Sequence, residues 1–108
     1  MSPQELEPRV QEVSTLLKAM SNEKRLLILC HLINSELSVG NLEKLVGLSQ
    51  SALSQHLARL RRDGFVQTRR EAQTIYYSIK GEETKTLISA LRSIFIQPAA
   101  SAEESVAA

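Results

Sequence analysis

Apolar positions near the start of the chain, Leu6, Val10, Val13, Leu16, Leu17 and Met20, recur at three- and four-residue intervals. This spacing predicts an amphipathic helix from about Glu5 to Ala19. Pro8 is tolerated in a first turn, where its missing N–H has no intrahelical acceptor, which draws the true start towards Pro8. Ser21 or Asn22 is placed to cap a second helix, Glu23 to Ile33, with Glu23 favoured by the helix dipole. Leu26, Leu27, Ile28, Leu29, Leu32 and Ile33 make that helix apolar over much of its girth, so it should form the buried centre. Ser38 opens a short third helix, Val39 to Val46, which Gly47 closes in left-handed geometry. Ser49 caps a fourth, Gln50 to Arg62, and Asp63-Gly64 ends it.

After Gly64 the period changes to alternation. Phe65-Val66-Gln67-Thr68-Arg69-Arg70 and Thr74-Ile75-Tyr76-Tyr77-Ser78-Ile79, joined by Glu71-Ala72-Gln73, predict a β-hairpin. A last helix, about Glu82 to Phe95, carries Leu87, Ile88, Leu91, Ile94 and Phe95 on one face. The Gly47-Leu48-Ser49 link matches a helix-turn-helix turn. The expected fold is therefore mainly α with a two-stranded β-hairpin wing, a winged helix-turn-helix. Residues 1–96 form one domain, and the Ala-, Ser- and Glu-rich residues 97–108 read as a disordered tail.

With 108 residues the chain has room for one modest core, which disfavours an enzyme with a deep cleft. The 43% hydrophobic and 23% charged residues place it among soluble globular proteins. The longest apolar run, Leu26 to Cys30, is far too short to span a membrane. No leader pattern is visible at Met1, and a single cysteine, Cys30, suits a reducing compartment; a cytoplasmic protein is expected. Net charge is only +1. Yet Arg59, Arg61, Arg62, Arg69 and Arg70 fall within twelve positions, opposed there by Asp63 alone. Such a block reads either as a local footprint for a polyanion or as a solvated helix end.

The fourth helix decides between these. Leu53, Leu57 and Leu60, with Ala52 nearby, form its buried stripe, leaving Gln50, Ser51, Ser54, Gln55 and Arg59 outward. A simple solvent face more often carries Glu and Lys. Short uncharged donors and acceptors fit base edges: Gln pairs with adenine in a bidentate way, and Ser serves several bases or a phosphate. The N-terminal residues of a recognition helix meet the bases, so Gln50, Ser51, Ser54 and Gln55 are the candidates for base reading. Arg59, Arg61 and Arg62 suit the phosphate backbone, and Arg69, Arg70 and Gln73 form a wing tip for backbone or minor groove. Of Tyr76 and Tyr77, one should face the core and the other DNA or a partner subunit.

The run Leu48 to Gly64, followed by Thr68-Arg69-Arg70-Glu71-Ala72-Gln73-Thr74-Ile75-Tyr76-Tyr77, resembles the ArsR/SmtB family of winged-helix repressors. Leu17 to Leu26 also matches the family's second-helix entry. The likeness covers about residues 13 to 96 and is strongest to the HlyU/NolR/BigR-like subgroup. It implies a homodimer built on the first and last helices, with two wings and two reading helices. The residues supply their own motive for a dimer, because Leu6, Val10, Val13, Ile88, Leu91 and Phe95 exceed what so small a core covers. Two-fold pairing implies double-stranded DNA with a palindromic operator, its half-sites about 34 Å apart.

In the family a Cys-x-Cys pair often marks a metal site in the third helix, where this chain has Val39, Gly40, Asn41 and Leu42. The last helix contains neither His nor Cys, and His31 and His56 make no cluster, so no metal and no cofactor are expected. The subgroup's sulfide and oxidation sensors carry one cysteine in the second helix and another near the end of the last. Here Cys30 fills the first position and the second falls near Ile96, so a two-thiol switch cannot form. Cys30 then reads as a buried small apolar residue, or alternatively as a single-thiol redox or persulfide sensor. The sequence names no small-molecule effector. Catalysis by Cys30 with His31 or His56 is disfavoured, since no acid, phosphate cradle or Gly-rich loop accompanies them.

Overall fold

A computed structural model describes residues 3–96, and the tail expected over 97–108 lies outside the described residues. The first predicted helix divides at its proline: α1 is Pro3–Leu6, a 3₁₀ turn follows at Glu7–Arg9, and α2 is Val10–Met20. Pro8 lies inside that turn, where a missing N–H costs little. Arg9 then leaves helical geometry at φ −115° and ψ 8° before α2 begins.

Helix α3, Glu23–His31, ends two residues earlier than its apolar pattern suggested. Asn22 is its cap: the side-chain oxygen accepts from the backbone N–H of Lys24 at 3.0 Å and of Arg25 at 3.1 Å. Ser21 instead donates its hydroxyl to the Lys18 carbonyl at the end of α2. Helices α4, Val39–Val46, and α5, Gln50–Arg62, have the expected bounds, with Ser38 and Ser49 as their caps. Helix α6 spans Glu82–Phe95.

The wing is larger than the two-stranded hairpin expected. Strand β1, Leu37–Ser38, joins β2, Val66–Glu71, and β3, Thr74–Ile79, in an antiparallel sheet of order β1-β3-β2. Leu37 pairs with Tyr77 and Ser38 with Tyr76. A two-residue strand carries no readable alternation, so only its long-range pairing reveals it. One face of the sheet, with Val66, Tyr77 and Ile79, meets the helices; the other carries Arg69 and Tyr76.

The core is set by α3, α4 and α5. Ile28, Leu29, Leu42, Leu53 and Leu60 are wholly inaccessible, and Val66, Ile79 and Ile88 close the sides. Burial of each such side chain contributes about 1.5 to 3 kcal/mol. Ile88, assigned above to the dimer surface, is only 5% exposed and is spent on this core. The centre also holds a cation. Arg25 is buried, and its guanidinium donates to the carbonyls of Ala19 (2.8 Å) and Lys18 (3.3 Å), closing the end of α2. Among the described residues no helix is long and apolar enough to cross a membrane.

Candidate nucleic-acid interface

The placement of α5 begins with the turn before it. Gly47 takes φ 68° and ψ 37°, the left-handed conformation that reverses the chain after α4. Across the core, Lys24 Nζ donates to the Val46 carbonyl at 3.2 Å, so a cation from α3 satisfies the last turn of α4. Ser49 then accepts from the Ala52 N–H at 3.2 Å and starts α5. At the far end, Phe65 N–H reaches the Leu60 carbonyl (2.9 Å) and Gly64 N–H the Arg61 carbonyl (3.1 Å), a Schellman closure. Between these ends Leu53, Leu57 and Leu60 are at most 1% exposed and fix the rotation of the helix.

That rotation places Gln50, Ser51, Ser54 and Gln55 together in solvent. None of these side chains forms a hydrogen bond among the described residues. They are a row of unspent donors and acceptors on a rigid helix. One turn later, Arg59 Nε lies 3.8 Å from Asp63, and Arg62 Nε lies 3.5 Å from the same carboxylate. Arg61 is exposed and makes no ion pair among the described residues. His56 is half-buried; burial first, then Arg25 and Arg59, push its pKa below the usual 6.5. The shift favours the neutral imidazole, which adds no charge to the face.

The two wing arginines, expected to act alike, have different surroundings. Arg69 Nε lies 3.1 and 3.2 Å from the two carboxylate oxygens of Glu36, and its Nη2 lies 2.5 Å from Oε1. Its Nη1 donates to Glu71 at 2.8 Å, and the guanidinium sits 4.8 Å over the Tyr76 ring. Arg69 is thus already engaged on the outer face of the sheet. Arg70 is exposed on the other face of β2 and, among the described residues, is tied only through Nε to the Ala72 carbonyl at 3.3 Å. Gln73 is exposed at the tip, beside Ala72 at φ 54°. Tyr77 packs on the core and Tyr76 faces outward under Arg69.

Away from this face, α3 and α6 border an open groove of about 600 Å³ lined by Leu26, Cys30, Ile33, Leu91, Phe95 and Ile96 among others. Cys30 is exposed there rather than buried as a core residue. Its side chain belongs to the stripe Glu23, Leu27, Cys30, which the helix turns outward. Partial burial raises the thiol pKa, which opposes the thiolate a sensor needs. Of the apolar residues assigned to a dimer, Val10 is 48% and Phe95 79% exposed, while Leu6, Val13 and Leu91 are half-buried. Leu17, Ile94 and Ile96, which were not assigned to the dimer, are also more than half exposed. Among the described residues no group of three or more His, Cys, Asp or Glu is placed to hold a metal ion.

Known proteins share this arrangement. The chain is 54% identical over 97 residues to the transcriptional activator HlyU of Vibrio cholerae, covering 90% of each. The crystal structure of the transcriptional repressor BigR from Xylella fastidiosa superposes with a TM-score of 0.85 at 40% identity, over 91% of this chain and all of that one. A homodimeric winged helix-turn-helix DNA-binding domain from Mycobacterium bovis matches with a TM-score of 0.74 at 29% identity, over 87% of this chain and 86% of that one. Residues 22–68 match the profile of the bacterial regulatory protein arsR family. With a reading-type helix, a wing and relatives of this closeness, the chain belongs to the ArsR family of bacterial transcriptional regulators.

Proposed function

We propose that the chain regulates transcription by binding double-stranded DNA as a homodimer on an inverted-repeat operator. The observation that carries this reading is the open face of α5, where Gln50, Ser51, Ser54 and Gln55 are exposed and unspent while the helix behind them is locked by buried leucines. Inserted in a major groove, these groups read base edges. Arg59, Arg61 and Arg62 at the end of α5, with Arg70 and Gln73 on the wing, hold the phosphate backbone. Asp63 moderates the charge of Arg59 and Arg62 in the free protein, so Arg61 and Arg70 are the freest cations of the set.

The homodimer rests on the apolar side chains of the N-terminal segment and α6, above all Val10 and Phe95, which a lone subunit leaves in water. A related structure is described as homodimeric, and two-fold symmetry would present two α5 helices to half-sites one helical turn apart. Repression by occupying the operator is the simplest outcome, and a repressor stands among the similar structures. The protein acts by binding, without catalysis.

The test is a titration of the whole chain against a library of genomic duplexes. Selection of an inverted repeat, bound at least about 1000-fold more tightly than scrambled duplex, supports the reading. Equal affinity for every duplex, or no binding at low salt, overturns it.

A further inference from the structure

Resting on the DNA-binding reading, we infer that Arg69 and Glu36 are positioning residues that fix the wing against the helix-turn-helix, and that Arg69 is not a phosphate ligand. Charge comes first. One guanidinium lies between two carboxylates, so the cluster of Arg69, Glu36 and Glu71 is net negative and repels a polyanion. Geometry comes second. Glu36 meets Arg69 through a forked pair of contacts, Nε to one carboxylate oxygen and Nη2 to the other, Glu71 holds the third nitrogen, and Tyr76 lies under one face of the plane, so the group is held at all three nitrogens and against one face.

Topology gives that fixation a purpose. Glu36 immediately precedes β1, Tyr76 lies on β3 and Arg69 on β2, so the cluster joins two strands of the sheet to the residue that leads into the third. Ser38, two residues after Glu36, caps α4, the first helix of the helix-turn-helix. The outermost strand is thereby tied to the helix pair that carries the reading face. Arg70 follows Arg69 directly and points to the opposite face, so holding Arg69 also sets where Arg70 is presented.

The experiment measures operator affinity of the full chain across salt concentrations, together with amide exchange in β2. Arg69→Gln and Glu36→Gln should each weaken binding about 5-fold, with the double variant no worse than either single one. The salt slope should stay at the wild-type value, because no phosphate contact is lost. Exchanging the partners, Glu36→Arg with Arg69→Glu, should recover most of the affinity, and amides of β2 should exchange faster in Glu36→Gln than in wild type. A phosphate ligand behaves otherwise: Arg69→Gln lowers the slope by about 1, Glu36→Gln tightens binding by freeing the cation, and the exchange of partners fails. Any of those three results, or unchanged exchange in β2, overturns the inference. If the wild-type chain selects no duplex, the regulator reading fails separately, and amide exchange alone then decides whether the Arg69–Glu36 contact holds the wing.

Discussion

Arg69 on the wing reaches Glu36 ahead of the sheet, with Nε 3.1 Å from one carboxylate oxygen and 3.2 Å from the other. Hydrogen bonds from Arg69 are the main cause of a Glu36 pKa below the usual 4.5. A carboxyl depressed by folding binds fewer protons in the folded chain than in the unfolded one. Its contribution is therefore complete above pH 4.5 and lost as pH falls through the folded value. Carboxyl carbon shifts followed by NMR should give Glu36 a midpoint below 4.5, moving up in Arg69→Gln. A midpoint at or above 4.5 in the wild type would show that the contact is not held in solution.

Gly47 and Ala72 test backbone geometry in opposite directions. Both sit at positive φ, 68° and 54°. A Cβ at Gly47 would meet nothing within 4 Å, so Gly47→Ala pays for backbone strain alone, about 1 kcal/mol lost in chemical denaturation. Ala72→Gly should leave stability unchanged or raise it by up to about 0.5 kcal/mol, because strain relieved at the tip offsets unfolded-state entropy. The control Ala58→Gly, on the exposed side of α5, should cost about 1 kcal/mol. Equal losses at Ala72 and Ala58 would contradict the turn geometry.

Lys24 and Arg25 are adjacent, yet each closes a different helix. Lys24→Met keeps the apolar stem and removes the bond to the Val46 carbonyl, with an expected loss of about 1 kcal/mol. Arg25→Met leaves the Ala19 and Lys18 carbonyls without the guanidinium in a buried place and should cost about 2 kcal/mol. Thermal or urea melts that rank Lys24→Met above Arg25→Met in cost would contradict the assignment.

Phe95 tests the subunit contact. The ring is 79% exposed in the single chain, so a charge placed there is harmless to the subunit fold and harmful to an apolar interface. Phe95→Glu should sediment as a folded monomer at concentrations where the wild type is a dimer. A variant that remains dimeric would move the interface elsewhere.

The parts legible from sequence are those written in local grammar. Ser38, Ser49, Gly47 and Gly64 mark helix ends within a few residues, and Leu53, Leu57 and Leu60 mark a face by period alone. Relationships between distant segments were hidden. Glu36 and Arg69 are 33 positions apart, and β1 is too short to show alternation before it pairs with Tyr76 and Tyr77. Apolar residues on nearly every side of α3 concealed its outward stripe, so Cys30 read as interior. Ile88 was misplaced for a related reason: periodicity shows that a face is apolar, not whether the core or a partner covers it. One signal was available and unused. Lys24 and Arg25 are cations in the first turn of a helix, where the dipole disfavours them, and such a conflict points to another employment.

If α5 reads bases while Arg70 holds the backbone, salt-dependent operator binding of Gln50→Ala and Arg70→Ala separates the two roles. Gln50→Ala should lose about 1 to 3 kcal/mol of discrimination at one base pair of each half-site and keep the wild-type salt slope. Arg70→Ala should weaken binding evenly across sequences and lower the slope by about 1 for each phosphate contact removed. Losses from both variants that are equal on every sequence, with identical slopes, would contradict the division of labour between helix and wing.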